Sequence, residues 1–111
     1  MNSEGAIAAL GALAQEHRLA LFRLLVRAGP EGLAAGRIAE RLGVPASSLS
    51  FHLAQLSRAG LIRQARRSRS LIYSADFNAM NALMGFLTAN CCCGPEAACA
   101  APAETEERIT A

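Results

Sequence analysis

Five stretches of the chain place apolar residues at the spacing of a helix. In each one, large apolar side chains or alanines return every three or four positions, which is the period of an amphipathic α-helix. The stretches cover approximately residues 6–14, 17–28, 34–42, 45–59 and 76–90. Gly29-Pro30 and Gly43 interrupt the pattern, because glycine caps a helix in a left-handed conformation and proline cannot continue its hydrogen bonds. Asp76 is placed to begin the last helix.

A different pattern separates the fourth and fifth helices. Residues 61–66 and 70–74 alternate in the manner of short β-strands, and we expect residues 71–73 to lie across from residues 61–62. The polar segment Arg66-Arg67-Ser68-Arg69 between them predicts a basic hairpin tip. The predicted order is therefore α-α-α-α-β-β-α, a mainly α fold with a β-hairpin.

The composition agrees with one small helical domain. Of 111 residues, 24 are alanine and 15 are leucine, whereas isoleucine and valine together supply 7. Straight-chain residues of this kind favour helices. No apolar run approaches the 18 residues of a membrane span, and the N-terminus lacks the basic and apolar regions of a signal peptide. We expect a cytoplasmic protein without a membrane partner.

Charge and cysteine are both distributed unevenly. All 11 basic residues are arginine, and ten of them fall in residues 1–90 against five acids, giving +5. Residues 91–111 carry one arginine and four glutamates, giving −3. We therefore divide the chain into a folded domain, residues 1–90, and a cysteine-containing segment with an acidic, flexible tail, residues 91–111.

Residues 34–42 and 45–59, joined by a tight turn at Gly43-Val44, form a candidate helix-turn-helix. Leu49, Leu53 and Leu56 share one face of the second helix and should pack inward. The opposite face and its flanks carry polar groups and one aromatic ring that suit base edges and phosphates in a major groove. The candidate DNA-contacting residues of this helix are Ser47, Ser48, Ser50, Phe51, His52, Gln55 and Arg58.

The hairpin adds three arginines to this candidate surface. Arg66, Arg67 and Arg69 would reach a phosphate backbone or an adjacent minor groove. The alternative is a solvated surface helix, with serines that only cap it and a His52 that makes a local hydrogen bond.

These features together resemble a known family. The segments that carry the resemblance are Leu13-Ala14, Arg18-Leu19, Leu24-Leu25, Ile38-Ala39, Leu42-Gly43, Ser48 to Leu53, Leu56 and Ala59 to Ile62. Over about residues 6–90 the chain resembles the ArsR/SmtB winged-helix repressors. The resemblance implies a winged helix-turn-helix, a homodimer joined through the first and last helices, and a bacterial or archaeal origin. It also implies repression of operator DNA that an inducer relieves.

All four cysteines lie within nine residues, at Cys91, Cys92, Cys93 and Cys99. A disulfide framework would spread its cysteines along the chain to close loops. The cluster instead indicates metal or metalloid binding, redox chemistry or lipidation. A zinc site on the last helix would need histidine, and that helix offers only Asp76. A site on the third helix would need cysteines, and residues 34–44 contain none.

The cluster resembles the arsenic-responsive members of the family, which use an adjacent cysteine pair and a third cysteine six residues further on. Cys92, Cys93 and Cys99 match that spacing, and Cys91 is an extra thiol that could replace one of them. Trivalent arsenic and antimony are soft centres that take three sulfurs, and soft thiolates select soft centres. We therefore expect As(III) or Sb(III) as the inducer and no organic cofactor.

Other interpretations of the cysteines stay open. They are a thiol redox or persulfide switch, a sensor of mercury, cadmium, copper(I) or zinc, lipidation, a tail without function, and a metal-scavenging protein that does not regulate transcription. We do not expect an enzyme, since the chain has no nucleophile with a base and an orienting group, and no phosphate loop.

Overall fold

The computed structural model describes residues Met1–Ala89. It contains five helices, one 3₁₀ turn at Gly29–Glu31 and three β-strands. The helices are α1 (Ser3–Leu13), α2 (Glu16–Ala28), α3 (Ala35–Leu42), α4 (Ala46–Arg58) and α5 (Phe77–Thr88). The strands are β1 (Leu33–Ala34), β2 (Ile62–Arg67) and β3 (Ser70–Ala75). The predicted fold, mainly α with a β-hairpin, is confirmed.

Side-chain caps fix the starts of three helices. The Asn2 Oδ1 atom accepts from the Gly5 amide at 2.8 Å, and the Asp76 Oδ1 atom accepts from the Ala79 amide at 3.0 Å. The Gln15 Oε1 atom accepts from the Arg18 amide at 2.9 Å. Such bonds satisfy amides that have no partner within the helix. The cap at Asn2 explains why α1 begins three residues before the predicted stretch.

The sheet contains a strand that the sequence pattern did not predict. The strand order is β1-β3-β2 and all pairs are antiparallel. The two-residue β1 pairs Leu33 with Tyr73 and Ala34 with Ile72. The hairpin is therefore attached through β1 to the beginning of α3.

The expected pairing of residues 71–73 with residues 61–62 is wrong. Ile62 pairs with Ala75, and Ile72 pairs with Ala65. The reason is the length of the turn. Arg67 pairs with Ser70, so that only Ser68 and Arg69 form the tip, and such a short turn sets the register of both strands. Ser68 has a φ of 59°, as tight hairpin turns require.

One core holds the helices and the sheet together. Its largest fully buried side chains are Leu21, Leu25, Ile38, Leu56 and Leu61. Leu49, Leu53 and Leu56 anchor α4 in this core, as predicted. Helix α1 buries three alanines, Ala6, Ala9 and Ala12, and its last residue, Leu13, also packs against the core. Because the three leucines of α4 face the core, the opposite side of this helix faces away from it.

Candidate nucleic-acid interface

The outward face of α4 carries most of the side chains predicted to contact DNA. Ser47, Ser48, Ser50, Phe51 and Arg58 are exposed, and Phe51 retains 57% of its accessible surface. Gln55 and His52 are half-buried. The first two turns of α4 therefore present serine hydroxyls, the methyl group of Ala46 and one phenyl ring to solvent.

A groove of about 470 Å³ separates α4 from the hairpin. Ser50, Ala54 and Ser57 of α4 line one side, and Gln64 of β2 and Tyr73 of β3 line the other. Residues Ala35, Gly36 and Ala39 of α3 complete it. Ser57, Gln64 and Tyr73 were not among the predicted contacts. Gln64 and Tyr73 reach this groove only through the register of the hairpin.

The C-terminal half of α4 faces a different neighbour. Gln55 and Arg58 line a recess with Ala8, Gly11 and Ala12 of α1. The structure therefore does not bring Gln55 and Arg58 to the groove beside the hairpin. These two residues flank the candidate surface on the α1 side.

His52 lies at the edge of the outward face and its ring contacts α2. The His52 and His17 rings are stacked, with centroids 5.5 Å apart and planes inclined by 24°. The His52 Nδ1 atom is buried, and no residue between Met1 and Ala89 forms a hydrogen bond with it. Burial lowers the pKa of His52, and the charge of Arg18 and the His17 ring lower it further. Each of these effects favours the neutral imidazole.

The hairpin carries four exposed arginines, namely Arg63, Arg66, Arg67 and Arg69. Arg66 and Arg69 line a recess with Ala34, Ala35 and Gly36, so that they lie beside the N-terminus of α3. Arg66 and Arg67 belong to β2 rather than to the turn. Arg63 was not among the predicted contacts, although it lies on the same hairpin.

The charge around this surface has one sign. Residues 41–75 contain six arginines and no acid. In the part of the chain that the structure describes, the one ion pair joins Arg37 Nε and Glu40 Oε1 at 3.7 Å, and no hairpin arginine takes part in it. A surface with this charge attracts the phosphates of nucleic acid.

The predicted metalloid ligands Cys91, Cys92, Cys93 and Cys99 lie outside the described residues. Four thiols are a donor set that suits a soft trivalent centre. Between Met1 and Ala89 no three histidine, cysteine, aspartate or glutamate side chains come together as a metal site. Across the same residues, no helix has the length and apolarity needed to cross a bilayer.

A helix-turn-helix beside an arginine-bearing hairpin defines the winged helix-turn-helix class of DNA-binding proteins. Residues 13–65 match the family model of a helix-turn-helix domain. The HTH-type transcriptional regulator YgaV of Escherichia coli K12 is 34% identical over 86 residues, which cover 78% of this chain and 85% of YgaV. The chain belongs to the ArsR/HlyU family of winged helix-turn-helix transcriptional regulators.

Solved structures agree with this assignment. HlyU from Vibrio cholerae superposes with a TM-score of 0.64 at 30% identity, covering 78% of this chain and 91% of HlyU. The homodimeric winged helix-turn-helix DNA-binding domain of Mb0332 from Mycobacterium bovis shares the fold at 21% identity, with a TM-score of 0.64 and 77% of each chain covered. The curated relative HlyU is named a transcriptional activator and YgaV a transcriptional regulator, so the relatives are regulators rather than enzymes.

Proposed function

We propose that the protein is an operator-binding repressor whose DNA complex is released by trivalent arsenic or antimony. The observation that carries the DNA-binding part is the shared groove between α4 and the hairpin. Because α4 and the hairpin flank one groove, a duplex that receives α4 in its major groove also meets the hairpin arginines. Binding then combines base contacts from α4 with phosphate contacts from β2 and the turn.

The DNA-binding form would be a homodimer joined through α1 and α5. Ile7 and Leu10 of α1 are 69% and 43% exposed, and Met84 and Leu87 of α5 are 56% and 52% exposed. Large apolar side chains in this number on two helices are typical of an interface. The homodimeric state of the Mb0332 domain, which has the same fold, supports a dimer. Two copies of α4 would then read two half-sites of one operator.

The inducer part of the proposal depends on the cysteine cluster. Cys91 follows Thr88, the last residue of α5, by three positions. Cys92, Cys93 and Cys99 would bind the metalloid, and their proximity in sequence favours a site made within one subunit. A ligand held there would act on α5, and hence on the relative orientation of the two copies of α4. A coupling of about 3 kcal/mol would weaken DNA binding roughly a hundredfold.

A thiol switch of the same fold is the second candidate. Vicinal cysteines can form disulfides or persulfides as well as bind metalloids. One structure of the relative HlyU is of its reduced form, at 31% identity and with a TM-score of 0.60. In this alternative, oxidation of the cluster rather than metalloid binding would release the DNA.

A titration of the DNA complex distinguishes the two candidates. The reduced chain is bound to a fluorescent duplex from its own upstream region, and anisotropy is followed as arsenite is added. We expect release at micromolar arsenite, and no release from the double variant Cys91→Ser, Cys99→Ser, which keeps only two of the four thiols. Cys91→Ser is the matched control and should respond like the unmodified chain.

The same complex is then treated with hydrogen peroxide or a persulfide donor in place of arsenite. Release by the oxidant alone would overturn the arsenic proposal in favour of the thiol switch. Release by arsenite from a variant with all four cysteines replaced by serine would exclude the cluster from both roles. Failure of the reduced chain to bind the duplex specifically would contradict the operator-binding function itself.

A further inference from the structure

Phe51 is an exposed phenyl ring that the fold does not require. Nine large apolar side chains between Met1 and Ala89 remain exposed. Seven of them are Met1 or belong to α1, α2 and α5, and Leu71 lies in the hairpin. Phe51, at 57% exposure, is the one that lies on α3 or α4. Its position separates it from the apolar side chains of the proposed dimer interface.

Neighbouring rings support Phe51 from one side. The His52 ring meets the Phe51 ring edge-on, with centroids 5.7 Å apart and planes inclined by 65°. His52 in turn stacks on His17 at the beginning of α2. Edge-to-face and stacked pairs at these distances are favourable. The rings of His17, His52 and Phe51 therefore form a row from α2 to the outward face of α4. Phe51 is at the end of this row and contacts the His52 ring.

Few side chains near Phe51 on α4 are able to distinguish one base from another. The other exposed side chains of the first two turns are three serines and Ala46. Arginine or lysine reads guanine with two hydrogen bonds, and asparagine or glutamine reads adenine in the same way. Those turns contain none of these four residue types, while Gln55 and Arg58 lie further along the helix beside α1. Serine hydroxyls bond to several bases and discriminate weakly.

We infer that Phe51 is a specificity-determining residue that reads the C5-methyl group of a thymine in each operator half-site. The inference rests on the proposed DNA-binding function and names the base feature that α4 recognises. Thymine is the base that presents an apolar methyl group in the major groove, and a phenyl ring is among the side chains that contact it. The N-terminal part of a recognition helix is the part that meets base edges, and Phe51 lies in its second turn.

The expected loss of DNA affinity is calculated from the free energy of moving one methyl group from water into an apolar contact. Removing a single buried methyl group weakens binding by about fourfold. A symmetric dimer that loses one methyl contact in each half-site should lose about fifteenfold. Both values lie within the range that a binding titration resolves.

The test uses deoxyuridine, which differs from thymidine by the absence of that methyl group. Duplexes are first selected from a random-sequence library by the full, reduced chain. The best duplex is then rebuilt with deoxyuridine at one thymidine position per half-site, one position at a time. We expect one position at which the exchange weakens binding by the stated factor. Phe51→Ala should bind the thymidine and deoxyuridine duplexes equally, and Phe51→Leu should keep part of the preference.

Leu71→Ala is the matched control, because it removes an exposed apolar side chain from the hairpin and should keep the full preference. Circular dichroism of Phe51→Ala verifies that the exposed position is not needed for folding. The inference is overturned if deoxyuridine weakens binding at no position, or if Phe51→Ala keeps the full preference. If the selection enriches no sequence, the proposed function fails and the inference fails with it.

Discussion

Gly32 shows how one residue joins the hairpin to the helix-turn-helix. It precedes β1 with φ of 70° and ψ of −171°, a combination that is essentially restricted to glycine. A Cβ atom at this position would overlap the Tyr73 carbonyl oxygen and come 2.9 Å from the Ile72 Cγ2 atom. The close approach of Gly32 to β3 is what allows the short β1 to pair with that strand.

We predict that Gly32→Ala destabilises the protein by about 3 kcal/mol, because it adds backbone strain and a clash with a strand. The free energy of unfolding is measured by urea denaturation. Gly36→Ala is the matched control. It lies in α3 with no atom within 4 Å of the added Cβ, and should stabilise the protein by about 0.5 kcal/mol. Equal stabilities of the two variants would contradict this account of Gly32.

At the scale of elements, the sequence predicts the helices well because local signals determine them. The buried leucines of α4 repeat at helical spacing, and Asp76 caps α5 as expected. The strand β1 has no such signal, since two residues cannot display a period. Its existence depends on Tyr73 and Ile72, which lie about forty positions away in the chain. The stacking of His52 on His17 is likewise a tertiary contact, and the sequence of neither segment predicts it.

The candidate surface was predictable to a similar extent. The exposed side of α4 follows from the positions of its three leucines, so Ser47, Ser48 and Phe51 could be selected from sequence. The direction that Gln55 and Arg58 face could not, because it depends on where α1 crosses α4. The metalloid ligands remain a prediction, since they lie outside the described residues.

A second prediction, at the scale of elements, concerns the contribution of the hairpin arginines to DNA binding. Replacing Arg66, Arg67 and Arg69 by alanine should weaken DNA binding. It should also reduce the slope of log affinity against log salt by up to about 5.4, because the dimer carries two copies of each arginine and each lost phosphate contact contributes about 0.9. Affinity is measured at several salt concentrations.

Arg23→Ala with Arg27→Ala is the control for general charge, since these arginines lie on α2 beside Met80 and Met84 of α5 rather than beside the hairpin. An unchanged slope for the hairpin variant, or an equal change for the control, would show that the hairpin does not contact DNA.

At the scale of the whole molecule, the two faces of the protein are chemically distinct. The side formed by α4 and the hairpin carries arginines and serines, whereas α1 and α5 expose large apolar side chains. This division predicts that the molecule binds DNA with one side and a second copy of itself with the other.

We predict that Ile7→Glu and Leu87→Glu each weaken the dimer by at least roughly a hundredfold, because the symmetric interface receives two unpaired charges and one alone costs about 3 kcal/mol. Sedimentation velocity measures the dissociation. Leu71→Glu introduces the same charge at an exposed leucine of the hairpin and should leave the dimer intact. The assignment of α1 and α5 to the interface is wrong if both helix variants stay dimeric at concentrations where the unmodified chain is dimeric.

The alanine face of α1 has a further consequence. The side chains that hold α1 to its own subunit are the buried Ala6, Ala9 and Ala12 and the half-buried Leu13, while Ile7 and Leu10 are exposed. Small side chains remove little apolar surface from water, so intramolecular packing alone stabilises α1 weakly. In the isolated subunit α1 would be a locally unfolding unit, and association would supply the stability that it lacks. The protection of its amides against hydrogen exchange would then rise with protein concentration, and the first helix would be complete only in the dimer.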